Sequence, residues 1–526
     1  MTVKWFDKDT LDCLIRYLVQ EVDTVLDIGC GIRPQDFFKP KQHICCEPHA
    51  EYIDILKQKA DQYPNMTFIQ STALQAVKGM RDKSVDSVFM LDVIEHLGKT
   101  DGRKLITECE RIAKNQIIIF TPLGFVPQNV ERKEIDAWGL HGGEWQVHKA
   151  GWLTTDFDDS WTVLACKEYH LTNDKGEPFI PPAGAFWAVK NLGAQTRESQ
   201  NIDRFPLVSV ITPAYNRASY LNETMDSVLN QGYPRVEYIV LDDGSKDNTK
   251  EVLEKYTGRV IWETHPNMGE TRTVNKGLGM AHGEIVVVVN SDDPLLPGAI
   301  SAAVAFMHSH PDVLVAYPDW EYIGPKSEVT GHYQVKEYDY LYMVRTHYCT
   351  PGPGAFIRRK AVEAAGVRDP EFRYVADFEY WLRLGLYGKF ARIPRTLATF
   401  RVHPDSASVS QQGSLMSHEH IRLIQKFYER PNLPPEVRKA RAEGFYNANV
   451  VAAVVCGGDL WAARKYRLKA LAYHPSGVFT MATLALFKLV KSPHFPKPLY
   501  RILRWGWHVV RPVSKGENRK SSQLAP

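Results

Sequence analysis

Val25-Leu26-Asp27-Ile28-Gly29-Cys30-Gly31 runs an apolar strand into a glycine turn, and Val208-Ser209-Val210-Ile211-Thr212-Pro213 opens a second strand much later. Glycine lets backbone approach a ligand because it has no side chain, so Gly29 and Gly31 mark a candidate ligand edge. Outward from the first strand, residues 1–175 alternate apolar runs with helical stretches. Strands are expected near 23–28, 43–47, 66–70, 85–91, 115–120 and 161–166. The rhythm returns over residues 206–410, with strands expected near 207–212, 236–242, 259–263 and 284–290. Such alternation predicts an α/β protein with two Rossmann-like domains. Between them, residues 176–205 hold Pro178, Pro181, Pro182 and Gly184 before a polar run, and read as a linker. Over 411–526 apolar residues recur at threes and fours, which predicts a helical C-terminal region.

The 526 residues suffice for several domains with cores of their own. With 44% hydrophobic and 24% charged residues the composition is that of an ordinary globular protein. A formal net charge of +3 leaves no electrostatic footprint for nucleic acid. Eight cysteines show no C-x-x-C spacing, so reduced thiols are expected and no zinc or disulfide framework. The first residues lack the apolar core of a signal peptide, and no apolar run is long enough to span a bilayer. A cytoplasmic location is expected. The C-terminus stands apart: from Lys488 to Lys520 there are nine Lys or Arg against one acid, Glu517, interleaved with Trp505 and Trp507. Such a segment suits peripheral contact with the inner face of a cell membrane, and equally a solvated tail.

Glu47 closes the strand after the glycine turn, about twenty residues beyond Asp27, where a carboxylate can accept both hydroxyls of a ribose. The third glycine of a dinucleotide fingerprint is missing, since Arg33 and Pro34 occupy that region. With Asp86-Ser87-Val88-Phe89-Met90-Leu91-Asp92-Val93-Ile94-Glu95-His96-Leu97, these residues resemble class I S-adenosylmethionine-dependent methyltransferases over roughly 20–170. The resemblance implies S-adenosylmethionine as cofactor. It places Asp27, Gly29 and Gly31 around the methionine part, Glu47 on the ribose and Asp92 beside the cofactor. Thr72-Ala73 stand where many relatives carry an acid near the adenine. Methyl transfer to a hydroxyl also needs a base, and His141 and His148 lie after the fifth strand, where acceptor loops are expected. His96 is expected to pack at a helix start.

In the second half, Asn290-Ser291-Asp292-Asp293 follows the apolar run Ile285–Val289. Two acids at the end of a buried strand need neutralising, and a divalent cation would do so. Alone, an Asp-Asp-Pro turn would equally serve as a helix cap. Asp242-Asp243-Gly244-Ser245 closes another buried strand, Asp377 heads an amphipathic helix, and His403 follows. Together with Thr212-Pro213-Ala214-Tyr215-Asn216-Arg217, these motifs resemble inverting family-2 glycosyltransferases with the GT-A fold over about 206–405. The resemblance implies a nucleotide-sugar donor whose nucleoside Asp242 and Asp243 hold, with Pro213 and Tyr215 lining its base. It puts Mg²⁺ or Mn²⁺ on Asp293, with Asp292 beside it toward the donor and His403 at the metal or diphosphate. Asp377 is the expected general base. The pairing points to a bifunctional enzyme of surface polysaccharide biosynthesis, which adds a sugar and O-methylates the glycan, with a lipid-linked acceptor in view. Open alternatives are a protein or small natural product as acceptor, and a methyltransferase-like domain that does not catalyse.

Overall fold

The computed structural model describes residues 3–58, 65–127, 135–136, 138–172, 176–193, 204–404 and 413–474. The first sheet has eight strands: β1 (Lys4–Trp5), β2 (Thr24–Ile28), β3 (Gln42–Glu47), β4 (Met66–Gln70), β5 (Val85–Leu91), β6 (Ala113–Pro122), β7 (Trp161–Thr172) and β8 (Pro178–Asn191). Their order is β1-β7-β8-β6-β5-β2-β3-β4. All neighbours are parallel except β8, which runs antiparallel to both β6 and β7. The chain winds outward from β2 on one side and from β5 on the other, so their C-terminal ends flank the switch point where open sheets bind ligands.

The linker expected over 176–205 is corrected here, because β8 fills the gap between β6 and β7. Ala185, Phe186, Trp187, Ala188 and Val189 are buried in it. The prolines misled because Pro178, Pro181 and Pro182 lie before Ala185, beyond the reach of β6. There β8 pairs with β7 alone, across register shifts. A missing N–H is tolerated where one side of the ladder is open. Residues 194–203 of that stretch lie outside the described residues.

The second sheet comprises β9 (Val208–Ala214), β10 (Val236–Asp242), β11 (Ile261–Thr264), β12 (Ile285–Val288), β13 (Val313–Ile323), β14 (Val329–Tyr333), β15 (Phe356–Arg358) and β16 (Lys389–Arg401). Its order is β11-β10-β9-β12-β15-β13-β14, with β16 pairing β13. The four strands β11, β10, β9 and β12 are parallel, and the switch point falls between β9 and β12. Both α/β halves belong to one compact unit.

The helix Lys8–Leu18 ties the halves together. Asp7 caps it, accepting from Thr10 N at 3.0 Å. Leu11, Leu14, Ile15 and Leu18 form an apolar stripe with no exposed surface. The helix packs on β7 and on the helix Ala299–Ser309 of the second half. The latter buries small and apolar residues from Ala299 to Ala305 and Met307, with His308 and Ser309 exposed at its end. Cys13 Sγ donates to Ala305 O at 3.2 Å, the rings of Tyr17 and His308 lie 4.3 Å apart, and Arg395 pairs with Asp7 at 3.3 Å.

The expected helical region forms a second compact unit, from residues 341–348 and the helices Ser414–Tyr428, Pro435–Lys439, Arg441–Val454 and Leu460–Tyr473. Among the described residues no helix is long and apolar enough to cross a membrane. The basic tail lies outside the described residues. Inside this unit His347 Nε2 meets His420 Nδ1 at 3.0 Å. Burial lowers the pKa of both rings, that of His420 from 6.5 to about 4. The folded unit therefore binds fewer protons than the unfolded chain. The stability that follows is present above 6.5 and is lost as pH falls toward about 4. Limited proteolysis of this unit should accelerate on acidification from about pH 7 to about pH 5. His420→Gln should weaken that dependence and leave the share that buried His347 contributes.

Candidate active sites

At the switch point of the first sheet the chain turns twice through left-handed backbone, at Gly29 (φ +62°) and Gly31 (φ +52°). A side chain is excluded at both places. A Cβ on Gly29 would stand 2.8 Å from Val93 Cγ2, and one on Gly31 2.5 Å from Trp138 Cη2. Glu47 holds the turn: its Oε2 accepts from Gly31 N and its Oε1 from His49 N, both at 3.0 Å. Burial raises the pKa of Glu47. Asp27 is also buried, and its Oδ2 accepts from Gln35 N at 2.7 Å beside His43 Nε2 at 3.3 Å. Asp27 thus shapes the loop after the turn.

The two histidines proposed as bases part company. His141 is exposed and sits on Glu51, whose Oε2 is 3.1 Å from His141 N and 3.3 Å from its Nδ1. Tyr52 donates to Asp136 nearby, so the segment with Trp138 is fastened over the glycine turn. His148 instead joins His96, with ring centroids 4.9 Å apart, at the end of β5. Glu95 O accepts from Lys149 N at 2.7 Å and Ala150 N at 3.0 Å, which fixes that segment. Asp92 stands at the strand end with φ +54°. A non-glycine residue in this conformation is strained and belongs at functional edges. Asp92 is exposed at its surface, yet desolvation by the surrounding protein pushes its carboxyl up to about 6. Burial, then the Asp92 charge, pushes Glu95 well above its ordinary value, while burial and His148 bring His96 down to about 4.

In the second sheet the register sets Asp242 opposite Ala214 and Val288 opposite Ile211, so the ends of β10, β9 and β12 adjoin. Pro213 is buried in β9, and Tyr215 is exposed just beyond it. Asp242 is buried, and its Oδ1 accepts from Ser245 N at 3.0 Å. The Asp243 carboxylate is spent on the neighbouring loop, accepting from Met268 N at 2.7 Å and Gly269 N at 2.9 Å. Asp293 is likewise engaged, with Oδ1 accepting from Arg401 N at 2.7 Å and Oδ2 from Asn290 Nδ2 at 2.9 Å. It is 5% exposed, and burial with the Asp292 charge pushes it up to about 8.

Asp292 is the more open acid. Its Oδ2 lies 3.0 Å from His403 Nε2 and 3.2 Å from Arg217 Nε. A carboxylate oxygen and an imidazole nitrogen side by side are a donor set suited to Mn²⁺ or a related divalent ion. Asp293, buried with both oxygens engaged, fits a direct ligand less well than Asp292. Asp377 is exposed in the first turn of the helix Ala376–Leu384, where its Oδ1 accepts from Phe378 N at 2.7 Å. Glu270, which the sequence reading passed over, faces the same place. Desolvation raises its pKa, and the charges acting on it are Arg368, Asp377, Asp292 and Arg217. Its signal was its position, first in the helix Glu270–Met280 directly after Gly269 (φ +89°).

Arg401 locks this end. Its side chain is wholly buried and donates to Asp292 O at 2.8 Å, Gly324 O at 2.9 Å, Ser327 Oγ at 3.0 Å and Glu223 Oε2 at 2.6 Å. Arg401→Met should lower stability by about 1–3 kcal/mol, the cost of leaving the buried Gly324 carbonyl without its donor, since Glu223 and Ser327 can turn to water. Thermal unfolding of the full chain would read this, and sugar transfer should fall with it.

Residues 209–365 match the family described as Glycosyl transferase family 2, and residues 26–120 match that described as Methyltransferase domain. The hyaluronan synthase of Pasteurella multocida is 26% identical over 242 residues, 45% of this chain and 24% of that protein. The chain therefore spans about a quarter of that relative's length. In Escherichia coli the UDP-Glc:alpha-D-GlcNAc-diphosphoundecaprenol beta-1,3-glucosyltransferase WfaP is 28% identical over 221 residues, 41% of this chain and 85% of that protein. Among solved structures, S. aureus TarS 1-349 in complex with UDP-GlcNAc aligns with TM-score 0.41 and 19% identity, covering 50% of this chain and 79% of that one.

Proposed function

We propose that this chain, with its family-2 glycosyl transferase segment and its methyltransferase segment, transfers a sugar from a nucleotide-sugar and O-methylates the glycan in surface polysaccharide synthesis. The observation that carries the first activity is the convergence of Asp292, His403, Arg217, Glu270 and Asp377 at the switch point of the second sheet. Arg217 and Arg368 supply positive charge for the donor diphosphate. Asp242 and Tyr215 stand at the ends of the two strands where the nucleoside belongs. Asp292 and His403 would hold Mg²⁺ or Mn²⁺, which neutralises charge on the departing diphosphate. Asp377 takes the proton of the acceptor hydroxyl as its oxygen attacks the anomeric carbon from the face opposite the diphosphate, which inverts that centre.

In the first sheet the glycine turn at Gly29 and Gly31 would take the cofactor at the switch point, with Glu47 at the end of β3 beside it for the ribose. Alignment supplies most of the barrier reduction, because the sulfonium is already activated. His148, beside Asp92 and Glu95, is the histidine this placement brings to the acceptor side, in preference to His141. The likeness to a hyaluronan synthase and to a diphosphoundecaprenol glucosyltransferase supports a polysaccharide or diphosphoundecaprenol-linked acceptor. A lipid-linked acceptor would also suit the basic C-terminal segment.

Asp292→Asn should lower sugar transfer more than about 100-fold, a loss of the size seen when one electrostatic contact to a developing charge is removed. S-adenosylmethionine affinity should be unchanged. Donor turnover with Mn²⁺ and calorimetric titration of the cofactor measure the two. Sugar transfer that survives in Asp292→Asn sinks the assignment. On a preformed glycan, His148→Gln should cut methyl transfer by about 10²-fold or more, while His141→Gln should change it by less than about threefold, as for a peripheral ion pair.

A further inference from the structure

Glu95, His96 and His148 come together next to Asp92, and one ligand atom from each lies within 4.8 Å of the other two. Donors around a tetrahedral zinc stand about 3.3 Å apart, so these groups need to close by roughly 1.5 Å at most to share an ion. The orientation of the rings favours that. His96 Nδ1 is 3.3 Å from Val147 O, and His148 Nδ1 is 2.6 Å from Val126 O. A carbonyl can only accept, so each ring is held through Nδ1, and the Asp92 backbone lies against the His96 ring as well. Metal-binding histidines are generally held in this way, by a hydrogen bond from the nitrogen that does not bind.

The carboxylate supplies an independent observation. Glu95 is 2% exposed, and its Oε2 accepts from Thr121 Oγ1 at 2.9 Å. Its Oε1 is buried with no nitrogen or hydroxyl to donate to it, and the one group at its side is the Asp92 carboxyl, which completes it only if the two share a proton. An oxygen in that state is costly unless a cation or a proton completes it. The charge of Asp92 also acts on this carboxylate, so two acids press on one point that two imidazoles face.

We propose that Glu95, His96 and His148 bind a divalent transition-metal ion at the end of β5, as a two-histidine, one-carboxylate site with an open position. Two histidines and a glutamate with a free coordination place form a known catalytic donor set. The open position takes a hydroxyl of the methyl acceptor. The ion lowers the pKa of that hydroxyl, and its proton leaves to water by way of exposed Asp92. The oxygen's electron pair forms the bond to the methyl carbon, the carbon–sulfur bond breaks, and its pair returns to sulfur, leaving S-adenosylhomocysteine. This catalytic role rests on the methyl-transfer assignment above; the binding of the ion does not.

The test uses the full chain, stripped with EDTA and dialysed against Co²⁺, with bound metal measured by elemental analysis and by visible absorption. Asp292→Asn serves as the background, to remove the contribution of the second sheet. His148→Gln should lower bound Co²⁺ by one equivalent and weaken affinity by more than the about 10–100-fold typical of losing an outer partner. His148→Cys should keep the equivalent and add a thiolate-to-cobalt band. Bound Co²⁺ that is unchanged in His148→Gln overturns the site, and so does a loss that Cys does not restore. Cofactor affinity is titrated in parallel. If Co²⁺ follows the expected pattern while S-adenosylmethionine does not bind, methyl transfer falls and the metal site stands.

Discussion

One buried guanidinium holds the working end of the second sheet together. Taking the Arg401 charge out of water costs several kcal/mol, an expense met only when every donor finds an acceptor. Here the acceptors come from separate segments: the Asp292 carbonyl, the Gly324 carbonyl, the Ser327 hydroxyl and the Glu223 carboxylate. The Arg401 backbone N–H meanwhile supports Asp293. The same residue thus ties the end of β16 to the loop after β12 and to the turn after β13. His403 lies two positions further along and is delivered to Asp292 by that closure. The buried ion network and the open site are one construction.

The acid pairs divide their labour in a way that follows from this burial. Asp293 is held by Asn290 and Arg401 in the interior, where burial pushes its pKa up. Its neighbour Asp292 is left more open, beside Arg217 and His403. Asp243 fastens the loop Met268–Gly269 from which Glu270 starts its helix. Asp242, Asp243 and Asp293 are buried on backbone or amide donors, and Asp292 is the one of the four that stays partly open.

This division explains what was legible in the chain and what was not. Apolar runs of strand length set β2, β3, β5, β6, β9, β10 and β12 within a few residues, because burial on both faces leaves continuous hydrophobic stretches, while the edge strands β4 and β11 are more exposed. The motifs located both crevices. They did not say which member of Asp292-Asp293 faces outward, since that depends on Arg401, more than a hundred residues away in the chain. Nor did they separate His148 from His141, because the choice is made by the N–H groups of Lys149 and Ala150 on Glu95 and by Glu51 on α-helical backbone far upstream. Pro178, Pro181 and Pro182 hid β8, although Ala185–Val189 carried a strand's apolar run. Glu270 was hidden for a plainer reason: an acid in a helix's first turn is common, and this exposed one is marked only by the charges gathered around it, Arg368, Asp377, Asp292 and Arg217.

The union of the two halves is also a packing constraint. The helix Lys8–Leu18 precedes the first sheet and packs on β7, yet it also covers the helix Ala299–Ser309 behind the second sheet. Cys13, buried, donates into that helix, and Tyr17 lies against His308. A helix as rich in buried apolar residues as Ala299–Ser309 cannot face water without loss, at roughly 25 cal/mol per Å² of apolar surface. The first half therefore completes the hydrophobic cover of the second. Two enzymes joined by a flexible tether would each keep a closed surface; here the shared helix makes the pairing of the two crevices part of what keeps the chain folded.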